Sequence, residues 1–312
     1  MTTRVLHEDE RYRVTLFRGS GDGSRLAVSF EHGHNQMHGR FTPAHYPNYA
    51  ARMGIDALSV QTAWRDWYVS DRSAALAETL ERATCGYADV LCTGFSMGGY
   101  AALRYSAACH AKRVMVVSPQ YSIDPEVAPF DTKRHKKFAR LGHPMPRPEA
   151  HGDTTVTGLL LYDPVIGADR AHKDLIVRAF PRLTPLALPH GGHPATGVIA
   201  AAGAIGRMVE MVAADHIDPP AIRRLHRQHR SRSDNYRLSL ASAALARHPG
   251  RALPELRRLA REATPDQRFE AGLLLLEHDH PEAEALLVTL LDEVPDAPRV
   301  WGRLLSRALR RS

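Results

Sequence analysis

Cysteine is scarce in this chain: Cys85, Cys92 and Cys109 are the only three in 312 residues. They form no CxxC pair and two lie in strongly apolar surroundings, which argues against a disulfide framework or a zinc ribbon and for buried thiols. Long apolar runs are missing too. No stretch approaches eighteen apolar residues in a row, so no membrane span is expected. "MTTRVLHEDERYRV" also lacks the uninterrupted apolar core of a secretory signal, and a cytoplasmic protein is expected. Lysine is absent after residue 218, where all 17 basic residues are arginine against 12 acidic ones. Residues 1 to 218 hold the remaining 24 basic and 22 acidic residues, so the excess positive charge belongs to the tail.

Five of the tail arginines fall in "IRRLHRQHRSR" (222–232). A run of this kind could attract phosphate or an acidic surface, but no aromatic residues are interleaved with it and no nucleic-acid-binding motif accompanies it. A solvated linker is the preferred reading, and nucleic acid is not expected as a partner.

What is present is an alternation of short strand-like and longer helix-like segments. Seven runs rich in Val, Leu and Ile ("RYRVTLFRG", "RLAVSFE", "DALSVQT", "ADVLCTG", "RVMVVSP", "VTGLLLY" and "LTPLALP") are separated mostly by amphipathic patterns such as "SDRSAALAETLERAT" and "DRAHKDLIVRAF". Continuous apolar strands alternating with helices predict a doubly wound, mainly parallel α/β sheet with helices on both faces. The first strands have no helix between them, so that edge should be antiparallel. Residues 120–153, rich in Pro, His and Lys/Arg, hold one plausible helix, "TKRHKKFAR", and read as a small cap or loop.

The pattern changes in the tail to short helices punctuated by proline, with Pro265 and Pro281 suited to first helical turns. The sequence predicts a sheet domain over 1–216, a basic linker over 217–233 and a helical domain over 234–312. "HPEAEALLVTLLDEVPDAPRVWGRLLSRAL" resembles a tetratricopeptide-type repeat over barely one repeat, which implies a docking surface for a protein partner.

The chemistry centres on "CTGFSMGGYAAL", where Ser96 stands in a G-x-S-x-G pattern. The pattern matters where a strand turns sharply into a helix, and "ADVLCTG" followed at once by "GGYAALRYSAAC" supplies that context. Gly94, Gly98 and Gly99 give the room such a turn needs. A serine at a helix start also has backbone N–H groups beside it, so the Met97 amide is the first candidate donor to a developing oxyanion.

On these residues the chain resembles the α/β-hydrolase family, whose strand, elbow and helix carry G-x-S-x-G. A hydroxyl needs a base, and the base a carboxylate; the resemblance implies the order serine, acid, histidine. It places the base in "ALPHGGHPATGVI", where His193 is preferred to His190 because the glycine pair lets the loop swing toward Ser96. For the acid, "LLLYDPVIGADRAHKDL" offers Asp163 at the strand end and Asp169 at a helix N-cap position. Asp169 is slightly preferred, and the sequence does not separate the two.

The resemblance also places a second oxyanion donor after "RLAVSFE", in "EHGHNQMHG", on the N–H of Gly33 or His34. This departs from the glycine-rich form of many esterases. His32, His34 and His38 also admit a zinc-site reading, but no HExxH-like signature accompanies them, and pocket-lining histidines, His32 among them, are preferred. Trp64, Trp67 and Tyr68 in "TAWRDWYVSD" are candidates to line an acyl or sugar pocket, or else to pack at a strand–helix junction. "WYVSD", "GFSMGGYAAL" and "SPQYSID" resemble bacterial hydrolase-like proteins, some associated with surface-polysaccharide production, which implies saccharide esters among the substrates.

The expected activity is hydrolysis of a carboxylic ester or thioester through an acyl-enzyme, with no cofactor or metal. The short cap segment favours small or exposed acyl groups over long lipids. An acyltransferase using a saccharide or other acceptor, or a non-catalytic scaffold on the same fold, are the alternatives.

Overall fold

The computed structural model describes residues 2–34 and 37–310. They divide into two units, Met1–His226 and Arg227–Ser312, each with its own apolar core.

The first unit is built on eight strands: β1 Thr3–Glu8, β2 Tyr12–Phe17, β3 Arg25–Phe30, β4 Asp56–Thr62, β5 Asp89–Phe95, β6 Arg113–Val117, β7 Thr157–Tyr162 and β8 Leu183–Ala187. They lie in the order β1-β2-β4-β3-β5-β6-β7-β8. β2 pairs antiparallel with β1 and with β4, and the remaining pairings are parallel. This is a doubly wound, mainly parallel α/β architecture. The unit's helices are α1 Asn48–Met53, α2 Ser73–Thr84, α3 Met97–Arg104, α4 Thr132–Phe138, α5 Gly167–Ala179, α6 Gly197–Ala201, α7 Ile205–Ala213 and α8 Pro219–His229.

The two-residue period of a strand explains why the central runs are apolar throughout. In β6, Val114 and Val116 enter the core beneath α2, α3 and α5, while Met115 and Val117 enter the core beneath α1, α6, α7 and α8. β7 divides in the same way, with Leu160 on one face and Leu159 and Leu161 on the other.

All seven strand runs read from the sequence form strands. β1 was not among them, because an edge strand paired on one side and mostly exposed carries no apolar run. α6 and α7 are separated at Gly203, whose φ of 66° is left-handed. The segment 217–233 is not a solvated linker. Most of it is α8, whose Ile222 and Leu225 are buried in the core of the first unit, leaving its arginines on the outer face. An amphipathic helix with an arginine-rich face reads as a charge run when its few apolar positions are overlooked.

The second unit contains α9 Asp234–Ala244, α10 Pro249–Glu262, α11 Pro265–Leu276, α12 Ala283–Glu293 and α13 Arg299–Ala308. Its core includes Leu256, Leu259, Leu275 and Leu287, with Phe269 and Trp301 stacked at 4.3 Å between ring centroids. Pro265 opens α11 at its first position behind a Thr264–Gln267 capping box, whereas Pro281 precedes α12. Some of the tail arginines are paired: Arg258 meets Asp234, Glu255 and Glu262, and Arg268 meets Glu293. Among the described residues no helix is long and apolar enough to cross a membrane.

Gly158 in β7 has φ of 138°, and a Cβ there would lie 1.9 Å from the Val114 carbonyl oxygen. Gly158→Ala is therefore expected to destabilise the first unit by about 3 kcal/mol, read as a lower urea midpoint at unchanged slope.

Candidate active site

Ser96 follows the last residue of β5 and precedes the first of α3. Its φ of 50° and ψ of −118° are a combination that residues with a Cβ rarely adopt. The turn is held by Ser96 N–H donating to the Val117 carbonyl at 2.8 Å and by the Gly99 amide donating to the Ser96 carbonyl at 2.9 Å. It closes only because its neighbours lack side chains. A Cβ on Gly94 would meet the Gly98 carbonyl oxygen at 2.1 Å, and one on Gly98 would meet the Phe30 carbonyl oxygen at 2.4 Å. The same packing brings the end of β3 against the start of α3.

The hydroxyl that this turn presents meets an imidazole. Ser96 Oγ lies 2.9 Å from His193 Nε2, and His193 Nδ1 lies 2.9 Å from Asp169 Oδ1. Asp169 is buried, so Nδ1–H donates to the carboxylate and Nε2 is left to accept the serine proton. Asp169 is the third residue of α5 and not its N-cap, a position held by Ile166. Asp163, also buried, is directed at backbone: Oδ1 accepts the Val165 and His190 amides and Oδ2 accepts the Gly192 amide. The two carboxylates thus divide between ring and loop. The Ala195 amide donates to Ser118 Oγ at 3.0 Å, so the loop carrying His193 is tied on both sides of that residue. Burial holds the His190 ring below the usual imidazole value despite the nearby Asp163.

Met97 is the first residue of α3, so its N–H has no intrahelical acceptor. The loop with Gly33 and His34 leaves β3 beside the same turn, and His34 Nε2 lies 3.3 Å from Glu31 Oε1. Desolvation and then the neighbouring His34 hold His32 below the usual imidazole value. Among the described residues no three His, Cys, Asp or Glu side chains gather as a metal-holding group. A cavity of about 450 Å³ lies beneath this loop, lined in part by His32, Gly94 and Phe95 but not by Ser96.

The three aromatic candidates separate. Trp64 is exposed and packs over Gly39 and near Arg11. Tyr68 is fully buried, and its hydroxyl lies 3.0 Å from the Glu31 carbonyl oxygen and 2.9 Å from that of Val60. Trp67 is buried as well, with its indole N–H donating to Gln120 Oε1 at 3.0 Å.

Gln120 is one of two side chains that sequence reasoning missed. Accepting from Trp67 fixes its amide orientation, so Nε2–H faces Ser96 Oγ at 3.2 Å and the Ser118 carbonyl at 3.1 Å. Its signal was its place just past β6, on the same sheet edge as Ser96. Arg134 is the other, on α4 of the cap: Nη2 lies 3.0 Å from His193 Nε2, while Nη1 lies 2.9 Å from both oxygens of Asp131. Asp131 also accepts from His172 at 3.1 Å. Burial pushes Asp131 up, but His172 and Arg134 together hold it below the usual carboxyl value. Nothing in "TKRHKKFAR" distinguishes Arg134 from its basic neighbours.

Asp163→Ala would leave three amides without their charged acceptor and is expected to cost about 3 kcal/mol of stability, measured by urea unfolding. Asp66, buried under the Trp67–Tyr68 turn, is pushed up to about 6 by burial, against the Tyr68 amide, the Thr62 hydroxyl and the charge of Arg11. Its proton is held more tightly in the folded than in the unfolded chain. Its contribution to stability therefore falls as pH rises from 3.8 to about 6. Relative to Asp66→Asn, the wild type should lose up to about 1.4 kcal/mol per pH unit across that window in parallel urea titrations.

No family model matches the chain, and no curated protein matches it. Solved structures similar to it include Est1E from Butyrivibrio proteoclasticus, at 12% identity and a TM-score of 0.46, with 69% of this chain and 98% of that one covered. Another is EstE1, a thermophilic carboxylesterase cloned from a metagenomic library, at 13% and 0.47 over 70% and 90%. A third is the capsule O-acetyltransferase of Neisseria meningitidis serogroup A, at 10% and 0.41 over 64% and 92%. At these identities and scores the likeness is one of backbone arrangement and fixes neither residues nor substrate.

Proposed function

We propose that this protein is a serine hydrolase of carboxylic esters or thioesters. The observation that carries the reading is the line Asp169–His193–Ser96, two contacts of 2.9 Å ending on a hydroxyl held in a strained turn at a helix start. In the first half-reaction Ser96 Oγ attacks the acyl carbonyl as its proton passes to His193 Nε2. The Asp169 carboxylate, through Nδ1–H, keeps the ring in the accepting tautomer and offsets the charge it gains. The tetrahedral oxyanion is met by the Met97 amide and by an amide of the Gly33–His34 loop. Collapse breaks the ester C–O or thioester C–S bond, and His193 returns its proton to the departing oxygen or sulfur. Water then attacks the acyl-enzyme by the same route, releasing the acid and restoring the Ser96 hydroxyl.

Gln120 keeps the hydroxyl aligned. Its amide donates to Ser96 Oγ, which leaves the serine's own proton to point at His193. The roles follow from the chemistry each group can perform at its place: Asp169 meets the ring, whereas Asp163 orders the loop that carries it.

A fluorophosphonate should label the intact protein once, at Ser96, and Ser96→Ala should abolish labelling. Hydrolysis of p-nitrophenyl acetate should fall about a thousandfold or more in Ser96→Ala and His193→Ala, and by a similar order in kcat for Asp169→Asn with KM little changed. Asp163→Asn should lose far less. Activity that survives in Ser96→Ala would refute the reading.

A further inference from the structure

The charged groups around Ser96 are unbalanced. Arg65 lies over the candidate oxyanion loop, its Nε 3.1 Å from where a Cβ on Gly33 would stand, and makes no ion pair among the described residues. Lys137 is half-buried on α4 with Nζ 5.8 Å from the centre of the Trp67 ring, and it too makes no ion pair among them. Arg134 completes the group beside His193. The charges that face Lys137 are Arg65, Arg134 and Asp131. Of the acids nearby, Asp131 is buried and already shared between Arg134 and His172, and Glu31 is turned to His34 and Thr42. Desolvation, followed by the charges of Arg65 and Arg134, holds Lys137 below the usual ammonium value. Three cations thus face one another, two of them without an anion among the described residues, and the third, Arg134, sits against the imidazole that meets Ser96.

Arg134 adds a chemical constraint. In the resting site its Nη2–H and the Ser96 O–H converge on the one lone pair of His193 Nε2. Once Nε2 takes the serine proton it can accept nothing, and an imidazolium would stand against a guanidinium at 3.0 Å. An anion arriving with the substrate would draw Nη2 away and offset that charge.

We propose that the ester cleaved at Ser96 is carried on an anionic molecule, whose carboxylate or phosphate group is bound by Lys137, Arg65 and Arg134. The inference rests on the hydrolase reading and adds to it the class of substrate. It is a site for a fixed negative charge next to the scissile bond, built from the cap on one side and the loop after β4 on the other.

The test compares acetate release from para-acetoxyphenyl phosphate and para-acetoxybenzoate with that from the neutral methyl ester of the latter, each rate divided by its hydroxide-catalysed rate. At low salt kcat/KM should favour the anionic esters by roughly tenfold or more, a preference that shrinks as salt rises. The two anionic substrates distinguish phosphate from carboxylate. The anionic-to-neutral ratio should fall toward one in Lys137→Met and in Arg65→Met and recover in Lys137→Arg. Equal turnover of anionic and neutral esters, or a preference that both Met variants retain, would overturn the inference and leave the hydrolase reading standing. Should the wild type turn over no ester, the hydrolase reading fails instead, and calorimetry with inorganic phosphate decides the anion site. Saturable binding to Ser96→Ala that weakens in the Ser96→Ala, Lys137→Met double variant supports the site, and no binding overturns it.

Discussion

A side chain can stand clear of the end of a buried strand only where the backbone reverses before the next helix begins, and here that reversal is confined to Ser96. The residue holds a positive φ, and the helix that follows lies so close to β3 and β5 that a Cβ at position 94 or 98 would overlap a carbonyl. Strain at one residue and bare backbone at its neighbours are a single constraint seen from two sides. Relax it and the hydroxyl would lose its position relative to everything else on the sheet edge.

The partner of that hydroxyl comes from a loop with no regular structure of its own, which makes its anchoring decisive. Asp163 takes two amides of the loop before His193, and Ser118 takes one just after it. A buried carboxylate that accepts only backbone amides spends its charge on order, whereas Asp169, held in the first turn of α5, is left for the imidazole. Two acids six residues apart thus do different work because one strand end and one helix turn aim them differently.

Charge is distributed with similar economy. In the helical unit, arginines such as Arg258 and Arg268 face acids on adjacent helices, so part of that unit's positive charge is neutralised locally. At the cap and the loop after β4 the balance is different, since Arg65 and Lys137 have no acidic partner among the described residues and Arg134 shares Asp131 with His172. Lys137 is half-buried and Arg65 exposed, so both are open to a negative group arriving from solvent.

Local pattern determined much of this protein. The seven apolar runs, the turn at Ser96 and the helical character of the tail were legible because each is governed by near neighbours: strand period, missing Cβ atoms, proline at helix starts. The edge strand β1 and the helix α8 were not, since an exposed strand has no apolar run and α8 shows only a few buried positions among many arginines. Which of Asp163 and Asp169 meets His193 was likewise beyond the sequence, as were Gln120 and Arg134. Their positions depend on contacts between residues 24 to 59 apart in the chain, and such distances are closed only when the sheet assembles and the cap folds over its edge.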